Sequence, residues 1–411
     1  MSQNLWRVAV ALSSLLLAAL LTVMAPTPAR ADVLEDWLGI ADRGADGRLL
    51  TPPQQGQPER TAAPLVALAM FEAANALDPR YQSYLQLSPA RGPGSAEAAA
   101  VAAAHAVLVG IYPDRRASLD AAMALSLAGL PPGPAREAGL EAGRAAGAAA
   151  LRRTLFDGPA PEPYRPEGAI GRFVPPMLPA FAPWSLQAQP FFLKSWDEVM
   201  PPPPPPTAGE RYARDFDEVR RLGGKGSPDA TPEALGVAQF MAGFTLDPTV
   251  RRVAARMPRL VDRARLWALM RLAAADANAA VAQAKMRYMT WRPLSAIRNA
   301  DRDDNPATTR DPLWEPAMPT PNHPEYPCGH CTFAGLAAGV LAPETDGPVE
   351  VGSETAPQPV RVTYPDWGAF LDAASLARVS GGMHFRFSNE AGQALGRRVA
   401  ELARARFAPR K

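Results

Sequence analysis

Cysteine is nearly absent from the 411 residues: Cys328 and Cys331 are the only two, which excludes a fold held together by a disulfide framework. Histidine and lysine each occur four times against 39 arginines, so either residue at a special place carries information. No excess of charge of one sign is present. Basic residues number 43 and acidic ones 41, and Arg7 and Arg30 lie in a first stretch of 31 residues that holds no acid. That balance excludes a polycation that wraps nucleic acid, while leaving room for one concentrated basic pocket. Beyond residue 31 no uninterrupted apolar run is long enough to span a membrane, because the Ala-rich stretch 96–111 is broken by Glu97 and His105. Strand signals are scarce as well, 349–351 with 361–363 being the best candidate hairpin.

What is present is helical. Hydrophobic residues make up 47% of the chain and charged residues 20%, enough to build the core of one large domain or two ordinary ones. Apolar residues recur with helical spacing over 32–41, 62–77, 96–109, 117–127, 135–156, 210–222, 232–244, 248–257, 259–290, 330–341, 367–379 and 389–407. The expected class is all-α, with little or no β structure. Residues 1–31 read as a signal peptide: Arg7, an apolar run, Pro26 and Pro28, then Ala29-Arg30-Ala31 before the cleavage point. An exported chain, periplasmic or secreted, with no membrane span after cleavage, is expected. Six consecutive prolines, 201–206, form a rigid loop between an N-terminal helical region, 32–206, and a C-terminal catalytic region, 207–411.

Reactive residues collect in three places. Leu269, Ala273, Ala277 and Val281 recur every four residues, a buried stripe on which Lys285 falls next; Arg292 follows two helical turns later, and Pro293 ends the helix. A lysine on an apolar stripe is costly unless it meets an anion, so the two cations point to one anion. The second place runs from His323 through Tyr326, Pro327, Cys328, Gly329 and His330 to Cys331, then into an apolar segment. A proline-bounded turn opening a helix leaves free backbone N–H groups that bind oxyanions, and Gly329 admits close approach. The Cys-Gly-His-Cys run also matches a dithiol motif, but prolines and no strand precede it, which argues against a redox role. The third place is Arg378, the pair Gly381-Gly382, and His384 between aromatic neighbours.

Together these constellations resemble the signature shared by type 2 phosphatidic acid phosphatases (PAP2), bacterial class A acid phosphatases and vanadium-dependent haloperoxidases. Lys285, six residues and Arg292-Pro293 match in full. Pro327-Cys328-Gly329-His330 matches with cysteine for serine, and Ala377-Arg378, five residues and His384 match with alanine for serine. The flanks look most like the exported bacterial haloperoxidase-like branch, and the resemblance covers roughly 189–404.

The resemblance implies an all-α fold of helical bundles with the site at one end. It implies vanadate as cofactor, or phosphate in the same place, bound by Lys285, Arg292, Arg378, Cys328 and the Gly329 amide. His384 would be the vanadate ligand or the nucleophile toward phosphorus, and His330 the general acid/base. The implied substrates are small molecules: hydrogen peroxide and a halide, or a phosphomonoester. His323 stands where haloperoxidases carry a residue linked to halide preference, and histidine there resembles the bromide-oxidising type. The phosphatase pattern places an aspartate, as partner of the reactive histidine, where this chain has Ser388; Asp247 or Glu390 is the candidate substitute. A thiol beside hypohalite oxidises, so either Cys328 and Cys331 form a disulfide or the site makes no hypohalite. Three readings follow: a haloperoxidase-like enzyme, a soluble periplasmic phosphatase, or an oxyanion-binding protein without turnover.

Overall fold

A computed structural model describes residues 32–45, 62–153, 162, 164–166, 168–178, 184–345, 347–353 and 360–410. The expected signal peptide lies outside the described residues. Helices dominate. The first layer is α1 (Val33–Arg43), α2 (Ala63–Leu77), α3 (Ala96–Ile111), α4 (Arg116–Ala128) and α5 (Pro134–Leu151). After the proline run come α6 (Glu210–Leu222), α7 (Pro232–Phe240), α8 (Asp247–Ala254), α9 (Leu260–Tyr288), α10 (Pro293–Arg298), α11 (Gly329–Leu341), α12 (Trp367–Ser380) and α13 (Arg386–Arg406).

Local chemistry sets the helix starts. Asp32, Ser95, Thr231 and Asp366 accept the first free amides of α1, α3, α7 and α12. Proline opens α5, α7 and α10, where its missing N–H is no loss. The 29-residue α9 is the central element: it packs against α2 on one side and against α11 and α13 on the other. One apolar core accordingly takes Phe71 and Leu108 from the first layer and Leu272, Leu336 and Val399 from the second. The α11–α13 contact is the tightest in the C-terminal half. A side-chain carbon on Gly396 would lie 2.0 Å from the Thr332 carbonyl oxygen, and one on Gly335 would lie 2.3 Å from that of Gln393. Glycine is what lets these backbones touch.

The all-α expectation holds, with boundary corrections. The segment expected as helix over 232–244 stops at Phe240; a single 3-10 turn follows, and Phe244–Thr245 become strand β1. β1 pairs antiparallel with β2 (Val349–Ser353), which pairs with β3 (Arg361–Tyr364), so the expected hairpin is the larger part of a three-stranded sheet. The long helix expected to reach residue 290 ends at Tyr288, because Met289 adopts left-handed geometry and its carbonyl accepts from Phe173 N–H. The helix expected over 135–156 ends at Leu151, and residues 154–156 lie outside the described set. The proline run is extended, tied by the Tyr288 hydroxyl donating to the Pro201 carbonyl (2.6 Å) and that of Tyr326 to Pro202 (2.7 Å). Among the described residues no helix is long and apolar enough to cross a membrane.

Candidate oxyanion site

Four stretches meet at the N-terminus of α11: the end of α9 with the turn into α10, the loop 323–328, the turn between α12 and α13, and the segment 241–246. Lys285, Arg292, Arg378, His384 and Glu325 are 3%, 0%, 2%, 2% and 0% exposed, so three cations face one carboxylate out of water.

Each cation has a definite set of partners. Lys285 Nζ donates to the carbonyls of Pro324 (2.6 Å) and Glu325 (2.9 Å). Arg292 donates through Nε to the His323 carbonyl (2.9 Å), through Nη1 to the Met383 carbonyl (2.9 Å) and His384 Nε2 (3.0 Å), and through Nη2 to His323 Nδ1 (2.9 Å). Lys285 and Arg292 therefore clamp the loop 323–325 as well as charging the pocket. Arg378 differs. Its Nη2 meets Met383 Sδ at 2.7 Å, while its Nε and Nη1 are buried without a hydrogen-bond partner. Burial pushes all three cations down, Lys285 well below its usual range and Arg292 to about 10.

His384 is oriented from both ring nitrogens. A guanidinium only donates, so Nε2 opposite Arg292 is unprotonated and the proton sits on Nδ1, 2.8 Å from Glu325 Oε1. Burial, reinforced by the Arg292 charge, holds the imidazole well below its ordinary pKa and hence neutral. Burial raises Glu325 to about 7, opposed by Arg292 and Lys285. The turn that delivers His384 depends on Gly382 at φ +73°, where a side-chain carbon would lie 2.4 Å from the Gly223 carbonyl oxygen. His330, in the first turn of α11, donates from Nε2 to the Ala242 carbonyl at 3.0 Å, leaving Nδ1 as its acceptor; burial, with the Arg378 charge, lowers it to about 4.

At the mouth of α11, Cys328 Sγ accepts the Cys331 N–H at 3.2 Å and so caps the helix where the related pattern has serine. Both cysteines are free and buried, their sulfurs 2.8 Å apart. Burial raises the Cys328 thiol, but the hydrogen bond from Cys331 and the Arg378 charge outweigh it and hold Cys328 below the usual thiol range. In front of Gly329 the space is open: a side-chain carbon there would meet nothing nearer than Val281 Cγ1 at 3.8 Å.

Two sequence expectations are corrected here. Neither Asp247 nor Glu390 partners His384. Asp247 begins α8 and lies 4.0 Å from Arg251, and Glu390 sits on the exposed face of α13, 2.6 Å from Arg211. Both are solvated, whereas a neutral imidazole in a sealed pocket needs a carboxylate buried with it. Glu325 supplies it from inside the His323-to-Pro327 turn, and Ser388 adds a longer contact to Nδ1 at 3.4 Å. Lys285, His323, Gly329, His330 and His384 line one cavity; Arg292, Cys328 and Arg378 are not among its wall residues.

The donor set suits a tetrahedral oxyanion. Two orphaned guanidinium nitrogens, an open helix N-terminus and a surplus of buried positive charge fit the oxygens of phosphate or vanadate. The unprotonated Nε2 of His384 fits a bond to the central atom. Among the described residues no group of three His, Cys, Asp or Glu side chains could hold a bare metal cation.

Fold and site thus define an all-α protein with a buried cluster of cations beside a cavity at the end of a helix bundle. A family model described as the VCPO second helical-bundle domain matches residues 265–409. The vanadium chloroperoxidase of Curvularia inaequalis is 32% identical over 111 residues, a match that covers 25% of this chain and 18% of that relative. The solved structure of the first bacterial vanadium-dependent iodoperoxidase superposes with a TM-score of 0.65 at 19% identity, over 92% of this chain and 96% of that one. The holo form of a bacterial vanadium-dependent chloroperoxidase gives 0.64 at 17% identity, over 84% and 90%. Residues 265–409 thus match the second helical-bundle domain of the VCPO family, and the chain as a whole shares the fold of the bacterial vanadium-dependent haloperoxidases.

Proposed function

We propose that the protein is a vanadate-dependent, haloperoxidase-like enzyme that oxidises halide, bromide more readily than chloride, with hydrogen peroxide. The observation that carries this reading is the burial of Lys285, Arg292 and Arg378 together, with Glu325 acting on Lys285 and Arg292, Cys328 on Arg378, and two Arg378 nitrogens unpartnered. Such a cluster is expensive to bury without an anion of more than one charge. Vanadate, when bound, would supply the Lewis-acidic centre that activates peroxide. The three cations and the Gly329 amide would hold its oxygens, and His384 Nε2 would be its protein ligand. Glu325 keeps the proton on His384 Nδ1, so Nε2 carries the lone pair, which accepts from Arg292 in this structure and would exchange that hydrogen bond for a bond to the central atom. His330, neutral above about pH 4, can take a proton at Nδ1 from a small molecule in the cavity. His323 lines the same cavity and supports the preference for bromide.

The thiols favour a second reading. Cys328 and Cys331 are free beside the pocket, and thiols do not survive hypohalite. A phosphomonoesterase avoids that conflict: His384 Nε2 would attack phosphorus, the ester P–O bond would break, and His330 would protonate the departing alcohol. That step needs protonated His330, so hydrolysis would be confined to acid solution near pH 4.

One preparation freed of vanadate tests both. Adding orthovanadate, peroxide and bromide should produce dye bromination, with no hydrolysis of a phosphomonoester at any pH. Hydrolysis that vanadate inhibits, without bromination, establishes the phosphatase instead. Binding of phosphate with neither reaction leaves an oxyanion-binding protein.

A further inference from the structure

The cavity at the site is larger and less polar than its inorganic chemistry requires. It encloses about 530 Å³, within the range of pockets that hold organic ligands and far more than a single tetrahedral oxyanion fills. Lys285, Asn278, Thr245, His323, Gly329, His330 and His384 contribute its polar groups. The other walls are apolar: Met270 and Ala274 from α9, Phe333, Leu336 and Ala337 from α11, and Phe244 from β1. Neither peroxide nor a halide gains anything from such walls, since apolar surface stabilises only apolar surface removed from water.

The third wall is fixed. Phe244 is paired with Ser353 of β2, the Ser353 hydroxyl donates to the Phe240 carbonyl at 2.9 Å, and the Phe244 ring lies 6.3 Å from that of His330. The small sheet thus holds one apolar wall against the proton-transfer histidine. Phe333 is 36% exposed, an aromatic face that solvent reaches.

We infer that this chamber binds an apolar organic substrate, an aryl or compact alkyl group, directly beside the oxyanion. The inference rests on the oxyanion reading of the site and deepens it by naming the class of organic molecule the site accepts. The group lies against α9 and α11 with its near end at His330 and His384. The enzyme then acts on a molecule it holds, which selects among organic substrates by the fit of their apolar parts.

Calorimetry on the full chain with three probes separates this inference from the reading beneath it: inorganic phosphate, methylphosphonate and phenylphosphonate. Burying a phenyl ring predicts phenylphosphonate binding about 10- to 100-fold tighter than methylphosphonate. Ala274 is half-buried on the chamber wall, so Ala274→Trp fills the chamber from the helix surface. That variant should abolish the phenyl preference and leave phosphate and methylphosphonate within about twofold of the parent. If it does not fold, Met270→Trp, from the same half-buried edge, takes its place. Equal affinity for the two phosphonates, with phosphate bound, overturns the chamber alone. Failure of all three probes to bind overturns the oxyanion reading and this inference with it.

Discussion

Replacing Glu325 with glutamine separates two roles that one carboxylate plays. Oε1 accepts from His384 Nδ1 at 2.8 Å and from Phe385 N–H at 3.1 Å, and the same buried carboxylate favours the charged forms of Lys285 and Arg292. An amide oxygen can still accept from His384, so the ring keeps its tautomer. What is lost is charge assistance. Hydrogen bonds to charged groups contribute about 1.5–3 kcal/mol against about 0.5–1.5 for neutral ones, a difference of about 1–2 kcal/mol, or roughly 5- to 30-fold in any step that uses the basicity of Nε2. The second role has the opposite sign. Removing the counter-charge takes from Lys285 and Arg292 the carboxylate that favours their charged forms, and leaves that part to a bound anion.

Glu325→Gln should therefore bind inorganic phosphate more tightly than the parent while its turnover with vanadate falls about 5- to 30-fold. Calorimetry and a bromination rate measured on the same samples give both numbers. The pH profile adds a third. With Glu325 raised to about 7, the charged carboxylate accumulates as pH rises through that value, so the parent rate should climb there and the variant lose that limb. Unchanged or faster turnover in Glu325→Gln would show that the carboxylate is only a counter-charge and would refute the assignment of His384 orientation to it.

Arg378→Met should weaken phosphate binding at least about tenfold, since the unpartnered Nε and Nη1 are lost, yet leave the anion-free melting temperature equal or higher because a buried, poorly paired charge is gone; calorimetry and thermal melts check both. His330 is neutral above about pH 4, so kcat/KM for peroxide should be lost as pH falls through about 4, and His330→Gln should show a low, flat profile across that range. Gly396→Ala would place a carbon 2.0 Å from the Thr332 carbonyl oxygen and should destabilise by about 1–3 kcal/mol in chemical denaturation, although alanine alone favours helix. Its phosphate affinity should fall too, because α11 carries Gly329 and His330 at its start.

The parts of the site legible in the sequence were those whose chemistry is rare in this chain. One of four lysines on an apolar stripe, and three of four histidines within 62 residues, stand out against 39 arginines and a helical background. Spacing suggested that Lys285 and Arg292 lie near one another, yet α9 ends at Tyr288 and Arg292 reaches the same loop from the turn into α10. Their detailed partners were not legible. Both spend donors on backbone carbonyls of the loop 323–325 and at Met383, contacts that depend on how distant segments fold together. The same limit explains α7: Phe244 continues the helical pattern, but pairing with Ser353, 109 positions away, draws it into a sheet.

Glu325 shows why the carboxylate partner of His384 is not legible in the sequence. Asp247 and Glu390 are the substitutes that the resemblance suggests, neither at the expected spacing, and each has an arginine within reach and solvent around it. Glu325 has neither. It sits three residues before Cys328 in a turn bounded by Pro324 and Pro327, where no cation lies within its own segment. A carboxylate that is 0% exposed and lacks a local cation must find its charge partners elsewhere in the fold, and here they are Arg292, Lys285 and the imidazole of His384. The clamp runs both ways: Lys285 holds the Glu325 carbonyl while the Glu325 side chain holds His384, so the residue that charges the pocket also positions the residue that orients its reactive nitrogen. Lys285→Met should therefore disturb His384 as much as it lowers the positive charge, and its effect should add poorly with that of Glu325→Gln in a double-mutant cycle read by phosphate affinity. Additive losses would mean that the two side chains serve the oxyanion independently and that no such clamp exists.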